Sequence, residues 1–207
     1  MIAVSSPDDV FINCPFDAGY RPLFRAIVFA VFACGLRPRS ALELEDGGFA
    51  RLDKIMGIIA ECRYGIHDLS RVELDPDSGL PRFNMPFELG LFLAAKKFGG
   101  EDHARKRAMV LDCEPYRYQR FISDLNGMDI SAHAGDPARL TGLVRNWLVN
   151  VSRRRLVSAR ILLSAFAKFE AALPDLSHRA GTAVADVPYV DFEFMVTDWL
   201  LSARLED

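Results

Sequence analysis

The 207 residues are half hydrophobic and carry a formal net charge of −3, enough chain for one sizeable core plus a modest appendage and too little positive charge to hold a nucleic acid by bulk electrostatics. The longest apolar run, 26–34, is too short to cross a bilayer, and residues 1–9 lack both the basic start and the apolar run of a signal peptide. Four cysteines (Cys14, Cys34, Cys62, Cys113) without a C-x-x-C pair, and four scattered histidines (His67, His103, His133, His178), make no metal-ligand spacing; no metal, no membrane partner and a reducing cytoplasm are expected.

Residues 9–14 (Asp-Val-Phe-Ile-Asn-Cys) form a β-rich run that breaks at the turn cluster Pro15-Phe16-Asp17-Ala18-Gly19. Residues 20–35 then carry Leu23, Phe24, Ile27, Val28, Val31 and Phe32 at helical spacing, with Gly35 placed to end the helix. A helix this apolar must be covered on most sides. A weaker strand over 37–44 closes in the acidic turn 43–48, and a helical period returns over 49–62 through Leu52, Ile55, Met56 and Ile59. Residues 64–69 are the next strand, with Asp68 at its carboxyl end. An Asp-, Pro- and Gly-rich loop, 70–82, leads on to a second apolar helix.

That helix start is the most informative stretch. Asn84 can cap it, Pro86 suits its first turn, and Glu88 is expected where free N–H groups and the helix dipole favour an ionised carboxylate. A charged carboxylate beside Phe83, Met85 and Phe87 is suited to attack, or to stabilise, a sugar carbon that becomes cationic as its bond breaks. The competing reading is a capping glutamate, three residues after a cap at Met85, that only ties down the helix start.

Beyond it, 96–106 is polar and expected at the surface, 107–113 reads as a buried strand, 116–125 as a short helix, 128–131 as a short strand, and 137–151 as a helix. The run Arg153-Arg154-Arg155 reads as a solvated face. Two helices, over about 155–173 and 190–205, are separated by a loop holding Pro174, Gly181 and Pro188. Strand and helix alternate from 9 to 151, which predicts an α/β, flavodoxin-like three-layer sandwich around a parallel sheet of about five strands. The domains expected are 1–151 and a helical extension, 152–207, serving as a lid or an oligomer contact. Ligands of such sheets bind outside the carboxyl ends of the strands, a rule that gathers 13–17, 68–71 and the start of the Glu88 helix at one rim.

The sequence has no G-x-G-x-x-G after its first strand, no P-loop and no G-x-S-x-G elbow. His67, inside a predicted strand, reads as a core or rim histidine, and Cys14 as a small buried hydrophobe. Taken together, Val-Phe-Ile-Asn-Cys-Pro15-Phe16, a strand ending in Asp68, the loop Asp75-Pro-Asp-Ser-Gly79 and Phe87-Glu88-Leu-Gly90 resemble the nucleoside 2-deoxyribosyltransferase family. The related Toll/interleukin-1 receptor (TIR) domains likewise carry a catalytic glutamate on a helix after the third strand and cleave the nicotinamide–ribose bond of NAD.

The resemblance, over about 9–111, implies Glu88 as nucleophile or oxocarbenium stabiliser and Asp68 as holder of sugar hydroxyls or the base. It implies a binding wall of Asn13, Phe16 and Asp17; Ser70 and Asn84, at the same rim, are further candidates for substrate binding. Two departures count against deoxynucleoside exchange more than against N-glycosidic cleavage. Phe11 stands where the transferases have a glutamate-orienting tyrosine, and the segment 80–86 is longer than theirs. The implied protein is an oligomeric N-glycosidase of a nucleotide or nucleoside, with NAD as substrate rather than cofactor and a role in stress or phage defence. The alternatives are a non-catalytic nucleotide sensor and a structural interaction domain.

Overall fold

The computed structural model describes residues 6–43, 47–48, 50–74 and 79–203; the loop motif 75–78, the tip of the acidic turn at 44–46 and the end of the last predicted helix lie outside them. Five strands form one wholly parallel sheet: β1 (Ser6–Asn13), β2 (Arg37–Ser40), β3 (Cys62–Asp68), β4 (Arg107–Asp112) and β5 (Ile130–Ala132), in the order β2-β1-β3-β4-β5. This is the flavodoxin-like order, so the α/β class expected from strand–helix alternation is the one observed. The helices are α1 (Arg21–Ala33), α2 (Arg51–Glu61), α3 (Asn84–Phe98), α4 (Glu101–Ala104), α5 (Pro137–Ser152), α6 (Ala159–Arg179) and α7 (Tyr189–Ala203). None of them is long and apolar enough to cross a membrane.

The chain divides into two compact units, Met1–Pro15 with Arg37–Gly135, and Phe16–Leu36 with Asp136–Asp207. Compactness thus groups α1 and α5 with the C-terminal helices, whereas the sequence pattern divides the chain at 151.

In the sheet unit, α2 and α3 pack on each other and on the strands. Phe11, Ile55, Ile58, Ile59, Cys62 and Phe92 make one buried cluster there, and Leu69, Leu89, Val110, Tyr118 and Leu125 make a second. Within β1, Val10, Phe11 and Ile12 are all at most 1% exposed, so both parities of the strand are buried. The predicted helix over 116–125 is two short 3-10 turns, Arg117–Arg120 and Ser123–Leu125. Their inward residues, Tyr118 and Leu125, are set by the core rather than by a helical period. Lys106 corrects the expectation that 96–106 is exposed: it is fully buried. Its ammonium donates to the carbonyls of Ile59 and Cys62, where α2 runs into β3, and lies over the Phe92 ring. Burial draws its pKa down to about 8.

In the helical unit, α1 is buried nearly all round, through Leu23, Phe24 and Ala26 to Val31, and α5, α6 and α7 contact it. Phe29 of α1 meets Phe166, Phe169 and Trp199 at ring-centroid distances of 5.4, 5.2 and 6.0 Å. Asp136 caps α5 through the N–H groups of Ala138 and Arg139, and Ser158 caps α6 through that of Ile161. Pro174, read from sequence as a loop residue, lies inside α6. Leu173 and Ser177, on either side of it, are both buried, so packing of the helix face outweighs the local cost of the missing N–H. The arginine run 153–155 is exposed as expected, but in the α5–α6 connector rather than on a helix face.

Gly65 sits where β3 passes beneath α3. A Cβ there would meet His67 Nε2 at 2.6 Å and the Phe92 ring at 2.8 Å. Gly65→Ala is expected to lower the unfolding free energy by about 1–3 kcal/mol, read by urea denaturation, with part of the loss recovered by shortening Phe92 to Leu.

Candidate active site

Asn13 ends β1 beside His67, its register partner on β3. The Asn13 side-chain nitrogen donates to the Met85 carbonyl at 2.9 Å and lies 3.1 Å from His67 Nδ1. Because a carbonyl can only accept, the first contact sets which end of the amide is nitrogen, and the second then makes Nδ1 an acceptor. The imidazole proton is therefore on Nε2, which is buried without a hydrogen-bond partner among the described residues. Phe11 and Phe92 flank the ring at 5.8 and 4.9 Å. Burial brings its pKa down to about 3, so His67 stays neutral at physiological pH.

One bridging amide thus joins β1, β3 and the first turn of α3. Asn13 was expected to bind substrate; it is 1% exposed and both its N–H bonds are used within the fold. Its Oδ1 is buried with no hydrogen-bond partner among the described residues.

Glu88 is carried by the same helix, three residues after Met85 and so on a neighbouring part of its surface. The expected cap is corrected here. Phe83 occupies the N-cap position without a side-chain cap, Asn84 is the first helical residue and exposed, and Glu88 lies beyond the first turn. Glu88 is neither a first-turn carboxylate nor three residues after the cap, so both the capping geometry and the expected stabilisation by the dipole fall away. It is 7% exposed. Loss of solvent pushes its pKa up to about 7, opposed by the positive charge of Arg51 at the start of α2. A carboxylate so placed exchanges a proton near neutrality and, once ionised, is poorly solvated and reactive toward positive charge.

Asp68 sits one residue beyond His67, and strand alternation turns it away from the side on which His67 meets Phe92. It is fully buried. Its Oδ1 accepts from the Ser70 N–H at 2.7 Å, and its Oδ2 lies 3.0 Å from His133 Nε2. His133 Nδ1 accepts from the Gly135 N–H at 2.9 Å, which leaves the imidazole proton on Nε2, close to Asp68 but not aligned for a hydrogen bond to it. Ser70 is 7% exposed and contacts Asp68 through its backbone. At the end of β4, Asp112 accepts from Arg117 at 2.6 and 2.9 Å, and Arg117 also donates to Glu73 and to the Leu69 carbonyl. This second knot ties the loop after β3 to the loop after β4.

The structure therefore brings Asn13, His67 and the Glu88 helix together on one side of the strand ends, and Asp68, Ser70 and His133 on the other. Phe16 and Asp17 belong to the helical unit. There Phe16 meets Phe24 edge-on at 5.5 Å, and Asp17 Oδ1 accepts from the Tyr20 N–H at the start of α1. His133, Asp112 and Arg117 were not singled out from sequence. Asp112 carries the same signal as Asp68, an acidic residue closing a buried strand, whereas His133 follows a strand too short to mark it. Among the described residues no group of three or more His, Cys, Asp or Glu side chains is placed to hold a metal ion. No protein-family model matches the chain, and no curated protein matches it.

A carboxyl group whose pKa rises from 4.5 to about 7 on folding favours the folded state while protonated and opposes it once ionised. Its contribution is complete below pH 4.5 and is lost as pH rises through 7. Glu88→Gln, always neutral, is expected to match wild type at pH 4 and to be more stable at pH 8 by on the order of 3 kcal/mol. Thermal unfolding at the two pH values reads the difference; loss of a mere cap would instead destabilise at pH 8.

Proposed function

We propose that the chain is an N-glycosidase of the nucleoside deoxyribosyltransferase and TIR-like kind, acting on a nucleotide or nucleoside, with NAD the foremost candidate substrate. The observation that supports this most directly is Glu88: a carboxylate 7% exposed, with its pKa pushed up to about 7. It stands on the helix that Asn13 pins to the carboxyl end of β1, the end of a flavodoxin-like sheet at which ligands bind.

Breaking a C1′–N bond sends its electron pair out with the base and leaves positive charge on the ribose ring. Glu88, ionised, stabilises that charge or adds to C1′ covalently, and water or a second base then takes its place. The nicotinamide of NAD departs as a neutral molecule and needs no proton from an acid. The low polarity that raises the Glu88 pKa also strengthens its attraction to a cationic ring. Phe11, buried in β1 beside His67, offers no hydroxyl to orient the glutamate, which weighs toward hydrolysis over transfer. In this reading Asn13 and the Asp68–His133 pair hold the rim in shape, Ser70 meets the substrate, no cofactor takes part, and the protein works in the cytoplasm.

Binding without turnover is the second reading. It requires no group placed at C1′, and the burial of Asn13 and Asp68, at 1% and 0% exposure, takes from turnover two of the polar groups expected to hold the reacting sugar. Incubation with NAD and a panel of nucleosides and nucleotides, followed by liquid chromatography, separates the two. Free base released by wild type and not by Glu88→Gln is the expected result; ligand binding without release supports the sensor. Where there is turnover, the rate is expected to fall about tenfold per pH unit below pH 7, because the ionised carboxylate is the active form.

A further inference from the structure

The helical unit carries two surface features at opposite ends of α6 that no part of the proposed chemistry uses. At its C-terminal end, α6 and α7 enclose an open-sided cavity of about 500 Å³. Its aromatic lining comes from Trp199, which is anchored on Phe29 and Phe169, and from Phe194, which is 61% exposed. Asp191 and Asp198, two turns apart on α7, line it on either side of Phe194, against one opposing cation, Arg179. At the N-terminal end of α6 lies Arg153-Arg154-Arg155, exposed and followed by the half-buried Leu156 and Val157. This connector is held in place by Arg145, whose guanidinium donates to the carbonyls of Val157 and Leu156 at 2.7 and 3.4 Å.

We propose that the groove between α6 and α7 receives the arginine run of a second copy of this chain, joining copies head to tail. The fit is chemical. A guanidinium is the side chain that both stacks on an aromatic face and pairs with a carboxylate through a planar fork, and the groove offers Phe194 between two aspartates, with Trp199 next to the second of them. The run is the one stretch of three consecutive arginines in the sequence. A two-fold pairing of α7 on α7 is disfavoured. Centred on Phe194 and Met195, it would set Asp191 against Asp198 of the other copy if antiparallel, and like against like if parallel.

Docking surface and docking segment are separated by the length of α6, 21 residues or about 30 Å. A contact of this kind uses different patches on the two copies, so each addition leaves a free groove at one end and a free run at the other. The assembly is open-ended unless its rotation closes a ring.

Sedimentation velocity on the whole chain tests this. Wild type is expected to show species that grow with concentration in about 0.05 M salt and dissociate in about 0.5 M, where charge pairs are screened. Phe194→Asp, which spoils the groove, and the triple change Arg153→Glu, Arg154→Glu, Arg155→Glu, which spoils the run, are each expected to be monomeric. Both sites are exposed, so the circular dichroism of each variant should match wild type. Mixed one to one, the two variants still hold one intact groove and one intact run, and should form a dimer that grows no further. A monomeric wild type, a dimer insensitive to either change, or a mixture that stays monomeric overturns the proposal, as does an arginine run that binds anionic vesicles or single-stranded nucleic acid while the chain does not self-associate.

Discussion

The placement of Glu88 depends on one side-chain amide. Asn13 reaches from the end of β1 to a backbone carbonyl in the first turn of α3 and to the imidazole of β3. β3 ends at Asp68 and α3 begins only at Asn84, and the entry of this helix is registered to the sheet by Asn13 and by the packing of Leu89 on Leu69 and Val110. The bridge requires an uncharged His67, since its Nδ1 must accept. Complete burial between Phe11 and Phe92 supplies that condition by making the charged ring costly. Hydrophobic packing and the polar bridge therefore support one another: the aromatic rings keep the histidine neutral, and the neutral histidine orients the amide.

The same desolvation that silences His67 makes Glu88 chemically interesting, because removing water acts with opposite sign on an acid and a base. It lowers the imidazole pKa and raises the carboxyl pKa. At neutral pH one group is thereby fixed in a single state and the other is poised to change. Asp68 and Asp112, also fully buried, are each tied to a backbone N–H and approached by a basic side chain, His133 and Arg117. The carboxylates at the strand ends thus divide into two that hold loops in place and one, on the helix, with a small exposed fraction.

The helical unit follows from a different constraint. A helix as apolar as α1 cannot stand alone, and in its unit α5, α6 and α7 provide the cover. Phe29, Phe166, Phe169, Phe192 and Trp199 form a continuous aromatic network across α1, α6 and α7. These side chains anchor α6 ahead of Pro174, and the buried Leu173 and Ser177 carry the packed face past it. The network also leaves Trp199 with one side in the core and another on the groove.

Much of the fold was legible in sequence because it rests on period and punctuation. Alternating strands and helices, Gly35 after α1, Asp68 closing β3 and Asp136 with Pro137 opening α5 are local signals, and each element lies within a few residues of where those signals put it. The prominence of Glu88 was legible too, from its apolar neighbours. Local pattern could not supply partners distant in the chain. Asn84 looks like a cap because capping is judged from adjacent residues, yet Phe83 takes that position. Lys106 looks exposed because lysines usually are, until two carbonyls at the α2–β3 junction and the Phe92 ring are brought to it. Asp68 looks like a neighbour of Glu88 until strand alternation turns it toward His133, 65 residues along the chain. By itself the sequence determined the order of the strands and of the longer helices, since these depend on hydrogen bonding and side-chain period within a few residues. Only the tertiary structure decided which polar groups are charged, which are spent on holding the fold and which face outward, because desolvation and hydrogen-bond partnership are set by residues far apart in sequence.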